Sequence, residues 1–288
     1  MRVEARAKIN WTLDITGQRE DGYHLLDMLM QPITLSDTVT LEPSDALTLT
    51  VAGNPLIPAD ERNLAYRAAA ALKEATGYSG GAAIHVEKRI PAGAGMGGGS
   101  ADAAAVLAGL NRLWSLGLTQ AELERIGLSL GADVPFCLRG GLTRTTGIGE
   151  EMRAIPCGRD YELLVVLPSS GLSTREVFQA YHEQGKVKRP DTDAAERALA
   201  AGRLPQLIRC LGNVLQPVSE AMEPDIREAV ACLLRNGAAA ASMTGSGVAV
   251  FGVYDDPRRR DLACEGLQWL WPVVWRCRTC EESLIISA

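Results

Sequence analysis

Several things are scarce in this sequence, and each shortage removes a class of function. Against a net charge of −6 there is no basic cluster beyond the short run Lys186-Val-Lys-Arg189, so nucleic-acid binding is not expected. No uncharged run suits a bilayer: the longest, Gly237 to Tyr254, carries Thr-Gly-Ser-Gly at its centre, so no membrane contact is expected. The seven cysteines are odd in number and lack framework spacing, which argues against a disulfide scaffold. Met1 to Arg6 lacks the apolar core of a secretion signal, and the expectation is a cytoplasmic chain with reduced thiols. A lone CxxC, Cys277-Arg-Thr-Cys280, has no second pair to complete a zinc site. It lies in a stretch that reads as a strand, whereas a redox pair opens a helix. With 47% hydrophobic and 22% charged residues and no biased tracts, the 288 residues suffice for one large or two ordinary globular domains.

Glycine, by contrast, is plentiful and concentrated. Pro91-Ala92-Gly93-Ala94-Gly95-Met96-Gly97-Gly98-Gly99-Ser100-Ala101-Asp102 holds five glycines in twelve residues. A strand pattern over Gly81 to Ile90 precedes it, and Val106, Leu107, Leu110 and Leu113 follow at helical spacing. Strand, glycine loop and helix start make an anion site, because glycine lets backbone amides turn inward and a helix N-terminus adds free N–H groups. A Walker loop is excluded, since Gly99 stands before Ser100 where lysine is required. Gly93, Gly95 and Gly98 fit GxGxxG, but a dinucleotide fold then needs a strand ending in an acidic residue roughly 20 positions on. A second helical pattern, Thr119 to Ser129, occupies that place.

The rest of the chain sets out the frame. Val3, Ala5, Ala7 and Ile9 alternate with polar residues, which puts Lys8 and Asn10 with Glu4 and Arg6 on the solvated face of a strand. Thr16 to Gly22 reads as a turn-rich loop, followed by Tyr23-His24, where a lone histidine reads as structural. Leu25 to Leu35 is apolar; Thr38–Leu41 and Ala46–Val51 read as strands, and Asn63 to Thr76 as a helix stopped by Gly77. Asp133 before Val-Pro reads as a helix N-cap. Strand pairs are expected over Gly140–Thr146 and Ile148–Ile155, and a domain boundary near Pro156, dividing 1–156 from 157–288. Beyond it, Glu162–Leu167, Ala239–Met243, Val248–Tyr254 and Val273–Thr279 read as strands. Ser173–His182, Ala194–Leu211 (broken at Gly202 and Pro205), Met222–Arg235 and Asp256–Leu270 read as helices, with a polar loop over Gly185 to Asp193. Without a regular βαβ rhythm, the fold class is α+β.

Three stretches together resemble the three motifs of the GHMP kinase superfamily, in that order: Ala5 to Asn10, Pro91 to Asp102, and Met243-Thr-Gly-Ser-Gly-Val-Ala-Val-Phe-Gly252. The run Gly17-Gln-Arg-Glu-Asp-Gly-Tyr-His24 and Leu130-Gly-Ala-Asp-Val-Pro135 resemble one branch of it, distinct from mevalonate and homoserine kinases. The resemblance implies a two-domain kinase with its active site in the interdomain cleft, using ATP and Mg²⁺. The implied acceptor is a small molecule, the cytidine diphosphate ester of a methylated sugar alcohol in the non-mevalonate route to isoprenoid precursors. It implies Asp133 as catalytic base, Lys8 as its partner on the acceptor hydroxyl, and Pro91 to Ala101 around the ATP phosphates. Asn63 and Lys88 would lie near the adenine. Asn10, Tyr23, His24, Thr174 and Phe178 would contact the acceptor, with Tyr23 stacked on its cytosine. Ala101 departs from a second serine usual there, Val248 from a proline and Trp11 from a leucine. Oligomeric state is left open.

Overall fold

A computed structural model describes residues 1–20, 22–182 and 187–287. Asp21, inside the expected Thr16–Gly22 loop, and the start of the expected Gly185–Asp193 loop lie outside the described residues. In chain order the first sheet takes β1 (Arg2–Gln18), β2 (His24–Ser44) and β3 (Leu47–Ala52); α1 (Leu64–Thr76) leads to β4 (Gly81–Glu87). Helices α2 (Gly98–Leu113), α3 (Gln120–Leu130) and α4 (Val134–Arg139) precede β5 (Thr143–Gly147) and β6 (Glu151–Ala154). The second sheet begins at β7 (Glu162–Leu167), followed by α5 (Thr174–Tyr181), α6 (Thr192–Ala200), α7 (Leu204–Cys210), the short β8 (Gly212–Asn213) and α8 (Gln216–Met222). Then come α9 (Asp225–Arg235), β9 (Ala240–Met243), β10 (Val250–Tyr254), α10 (Pro257–Leu267), β11 (Val273–Arg278) and β12 (Leu284–Ser287).

The first sheet runs β12-β1-β2-β4-β3, with β5 and β6 extending from β2 and β8 parallel to β1. The second is antiparallel, β11-β7-β10-β9. The strand expected over Val3 to Asn10 is far longer, and it absorbs Thr16 to Gln18 from the expected loop. The apolar–polar alternation continues to Thr16, but burial does not follow it, because both faces of the strand are covered from Ala7 to Leu13. Trp11 marks the second cover, meeting Tyr161 edge-on at 5.2 Å and Phe251 at 5.7 Å. Lys8 and Asn10 are therefore buried, not on a solvated face.

Two strands had no counterpart in the expected elements. β8 and β12 lie beyond residue 157 yet pair with β1, so the expected second domain sends two strands back to the first sheet. Without β12, residues Arg2 to Ala5 would present an open edge, which sheets avoid. The helix expected over Met222–Arg235 is α9, which begins at Asp225 after Pro224, and α8 before it was not expected.

Helix α2 packs on the sheet through its alanines: Ala101, Ala103, Ala104 and Ala105 are fully buried. At Gly109 an added Cβ would come within 2.4 Å of Leu41 Cδ1, so helix and sheet touch almost backbone to side chain. That close seat fixes where the N-terminus of α2 points. The CxxC cysteines are buried, Cys277 in β11, and burial pushes their thiols up to about 12 and about 11. They serve packing.

Candidate active site

The glycine loop runs from β4 to α2, and its conformation is set residue by residue. Gly93, Gly95 and Gly97 have φ of 67°, 77° and 71°, the left-handed region that glycine alone enters cheaply. At Gly95 the need is absolute, since an added Cβ would lie 2.1 Å from the Thr244 carbonyl oxygen. Three successive carbonyls are tied to the protein body. Ala94 O accepts from Ala249 N (3.2 Å), Gly95 O from Thr244 Oγ1 (3.3 Å) and Met96 O from Lys8 N (3.0 Å). No amide from Ala92 to Ser100 donates to a protein acceptor among the described residues. Gly97 caps α2 without a side chain, leaving the first amides of a 16-residue helix free. Carbonyls in, amides out: the loop is an anion cradle.

That cradle forms one wall of a cleft of about 1180 Å³. Pro91 to Gly95 and Gly97 to Ser100 line it; Met96 and Ala101 point into the core instead. Lys8 and Asp133 also line it, with Lys8 Nζ 3.7 Å from Asp133 Oδ2. Gly97 stands where a Cβ would meet Lys8 Cγ at 3.2 Å and Asp133 Oδ2 at 3.8 Å, so loop and ion pair are in contact. The N-cap expectation for Asp133 is corrected: its side chain makes no capping hydrogen bond to α4 and is one-third exposed to the cleft. The ammonium of Lys8, almost wholly buried, also donates to Asn10 Oδ1 at 2.7 Å, which fixes its position.

Asn10, expected to contact the acceptor, is buried and does not itself line the cleft. Its Oδ1 accepts from Lys8 and from Gly245 N (3.0 Å) and lies 3.3 Å from Thr244 Oγ1, whose one proton it shares with Gly95 O, and its backbone N–H donates to Thr244 Oγ1 (3.0 Å). Asn213 holds the same turn from the other side, donating to Met243 O and Gly245 O. Gly245 and Ser246 of that turn line the cleft. The sequence reading singled out the Thr-Gly-Ser-Gly turn without giving it a site role.

The two residues expected near adenine do not line the cleft. Asn63 caps α1, accepting from Ala65 N at 2.9 Å and donating to Pro58 O at 2.7 Å, and does not line the cleft. Lys88 is buried behind the loop, 2.5 Å from Asp37 Oδ2 and 2.5 Å from Asp102 Oδ2. Asp37 Oδ1 also accepts from Arg89 N and Ile90 N, so this carboxylate anchors the strand end that launches the loop. Asp102 Oδ1 is buried without a partner. Burial pushes its carboxyl up to about 8; Lys88 pulls the other way and the facing Asp37 adds to the rise. The cluster is then neutral overall: one ammonium, one carboxylate, one carboxylic acid. Asp37 carried a sequence signal, a lone acid between the apolar Leu35 and Val39, and buried polar residues are the informative ones.

Tyr23, His24, Thr174 and Phe178 also line the cleft. Tyr23 is 61% exposed, a large ring presented to a guest. His24 lies 4.8 Å from the Phe178 ring and stacks on His182 at 4.7 Å, with the two Nε2 atoms 2.8 Å apart. Burial, then the neighbouring His182, hold its imidazole below the ordinary histidine range, so it is neutral at neutral pH. Thr174 shares a 2.8 Å hydrogen bond with Ser246, tying α5 to the Thr-Gly-Ser-Gly turn. Ser173 caps α5 as expected, its hydroxyl accepting from Glu176 N. His182 and Arg175, which also lines the cleft, were not anticipated from sequence.

The described residues contain no group of three or more His, Cys, Asp or Glu able to hold a metal ion. They contain no helix long and apolar enough to cross a membrane.

Comparison with known proteins agrees with this geometry. Residues 63–141 match the family model of the GHMP kinases N terminal domain, and 195–270 that of the GHMP kinases C terminal. The chain is 40% identical over 272 residues to the 4-diphosphocytidyl-2-C-methyl-D-erythritol kinase of Alkaliphilus metalliredigens, covering 94% of each. It is 45% identical over 255 residues to that of Pelotomaculum thermopropionicum, covering 88% of each. A crystal structure of 4-(cytidine 5'-diphospho)-2C-methyl-D-erythritol kinase superposes with a TM-score of 0.81 at 34% identity, over 97% of this chain and 99% of that one. The chain belongs to the GHMP kinases, within the family of the 4-diphosphocytidyl-2-C-methyl-D-erythritol kinases.

Proposed function

We propose that this protein transfers the γ-phosphate of ATP to the tertiary 2-hydroxyl of 4-diphosphocytidyl-2-C-methyl-D-erythritol, a step of the non-mevalonate isoprenoid route in the cytoplasm. The observation that carries the reading is the Lys8–Asp133 pair, 3.7 Å apart and in contact with the loop whose amides are free. Phosphoryl transfer asks mainly for alignment and charge stabilisation. The amides from Gly93 to Ser100 hold the phosphates of ATP, with Pro91 and Ala92 at the loop's entrance. Asp133 accepts the hydroxyl proton, which a loose transition state releases late, so a carboxylate suffices as base. Lys8, held by Asn10, orients the hydroxyl and offsets charge on the transferring group. Tyr23 and Phe178 enclose the cytosine, and a neutral His24 offers one donor or one acceptor to its edge. Thr174 orients the acceptor beside Ser246.

For Mg²⁺ the donor set fits an ion that arrives with the nucleotide: the Asp133 carboxylate and the Ser100 hydroxyl both line the cleft. With Ala101 in the core, a second loop hydroxyl plays no part. The ion would supply charge neutralisation of the phosphates. We place the division into two domains at 156/157, with β8 and β12 returning across it.

A coupled ADP-release assay with the cytidyl substrate, mevalonate and homoserine tests the reading, and activity on the first alone is expected. Asp133→Asn is expected to cut kcat by about 10²–10⁴-fold while nucleotide binding holds. An Asp133→Asn enzyme with full turnover would return Asp133 to a structural role.

A further inference from the structure

We infer that Arg175 binds the diphosphate of the acceptor and thereby selects a nucleoside diphosphate ester over an uncharged alcohol. The inference rests on the function proposed above and names a specificity residue within that site. Its first support is charge. The proposed acceptor brings a diphosphate into a cleft that also takes a triphosphate, in a protein of net charge −6. Among the described residues lining the cleft, Lys8 and Arg175 are the only lysine or arginine. Lys8 is committed to Asn10 and Asp133, and Lys88 is locked in the core between two carboxylates. His24 is neutral. Arg175 remains.

The second support is that nothing in the protein explains Arg175. It is exposed, and it makes no ion pair or side-chain hydrogen bond among the described residues, although most arginines of this chain do. It also stands in the first turn of α5, capped by Ser173, where the helix dipole disfavours a cation. A residue that breaks a local rule without a compensating partner points to a ligand.

The third support is position. On a helix, residues three and four apart share a face, so Arg175 and Thr174 stand beside Phe178. Phe178 packs against His24 at the cytosine end, and Thr174 binds Ser246 at the end nearer the glycine loop. In the acceptor the diphosphate lies between cytidine and the reacting alcohol. A guanidinium on the same wall, with its paired N–H donors, suits phosphate oxygens.

The test uses the full chain, its Arg175→Gln and Arg175→Lys variants, and two non-reacting probes, cytidine 5'-diphosphate and cytidine, titrated calorimetrically. Wild type is expected to bind the diphosphate more tightly than cytidine. Arg175→Gln is expected to weaken cytidine diphosphate by about 10- to 100-fold, the range of a charge-assisted hydrogen bond, with cytidine unmoved. Arg175→Lys should fall between, and in turnover the acceptor KM should rise far more than kcat falls, with the ATP KM unchanged. Equal affinities of wild type and Arg175→Gln for cytidine diphosphate overturn the inference and leave the kinase reading standing. A rise confined to the ATP KM overturns it too, by assigning the guanidinium to the triphosphate. A wild type that binds cytidine diphosphate no better than cytidine overturns both.

Discussion

Asp102→Asn isolates the buried cluster behind the phosphate loop. Asp37 is satisfied by Lys88 and two backbone amides, but Asp102 has one oxygen on Lys88 and the other on nothing. Two carboxylates cannot share one ammonium in the core without a proton between them. The folded carboxyl of Asp102 titrates at about 8 against an unfolded value of 3.8. Its contribution to stability is therefore complete below pH 3.8 and is lost as pH rises through 8. Between these limits the folded chain binds one proton more than the unfolded chain, so stability falls with pH. The slope is about 1.4 kcal/mol per pH unit.

Asparagine reproduces the neutral acid in size and keeps an acceptor for Lys88, but it does not titrate. Wild type and Asp102→Asn should thus melt alike only at or below about pH 3.8, and the variant should gain on wild type with each unit from there up to about pH 8. For a chain of this size the gain is roughly 2–3 °C per unit. Differential scanning fluorimetry across pH 5 to 9 reads it directly, and the difference between the two curves cancels the other titrating groups. Parallel curves would refute the reasoning, for Asp102 would then keep its charge in the fold. The point reaches function, because a neutral cluster places no negative charge under the helix end that is to receive a triphosphate.

Two further substitutions test the cleft itself. Gly95→Ala should raise the ATP KM at least tenfold, because its Cβ would meet the Thr244 carbonyl at 2.1 Å, whereas at Gly93 nothing lies within 4 Å. Gly93→Ala carries only the cost of a positive φ, about 1–2 kcal/mol, and equal effects of the two would remove the steric argument. Tyr23→Ala should raise the acceptor KM by roughly 10- to 100-fold, a base–aromatic stack being worth about 1–3 kcal/mol; steady-state kinetics at saturating ATP decide it.

Most helices were legible because their ends are written in local chemistry. Thr119 and Glu122 form a full capping box, Asn63 and Asp256 cap their helices, and Gly77 ends α1 in the left-handed conformation. Such signals need only neighbours in sequence. β8 and β12 escaped because two and four residues carry too short a pattern, and their reason to be strands is a distant edge of β1. The same distance hid the roles within the site. Asp133 before Val-Pro looks like a cap from its neighbours, and only the arrival of β1 turns it toward Lys8. Lys88 resembled a nucleotide contact until Asp37 and Asp102, from two other elements, closed on it.

What the three motifs have in common is therefore mechanical before it is chemical. Three consecutive carbonyls of the glycine loop are bound by β1 and by the segment around the Thr-Gly-Ser-Gly turn, and that binding presents the amides to the cleft. The turn in turn is held by one oxygen of Asn10, which also fixes the ammonium of Lys8. Anion cradle and proton-handling pair are thus linked through one buried amide side chain, with Asn213 holding the turn from its other side. Phosphate position and hydroxyl position cannot drift independently, and in-line transfer needs that constraint.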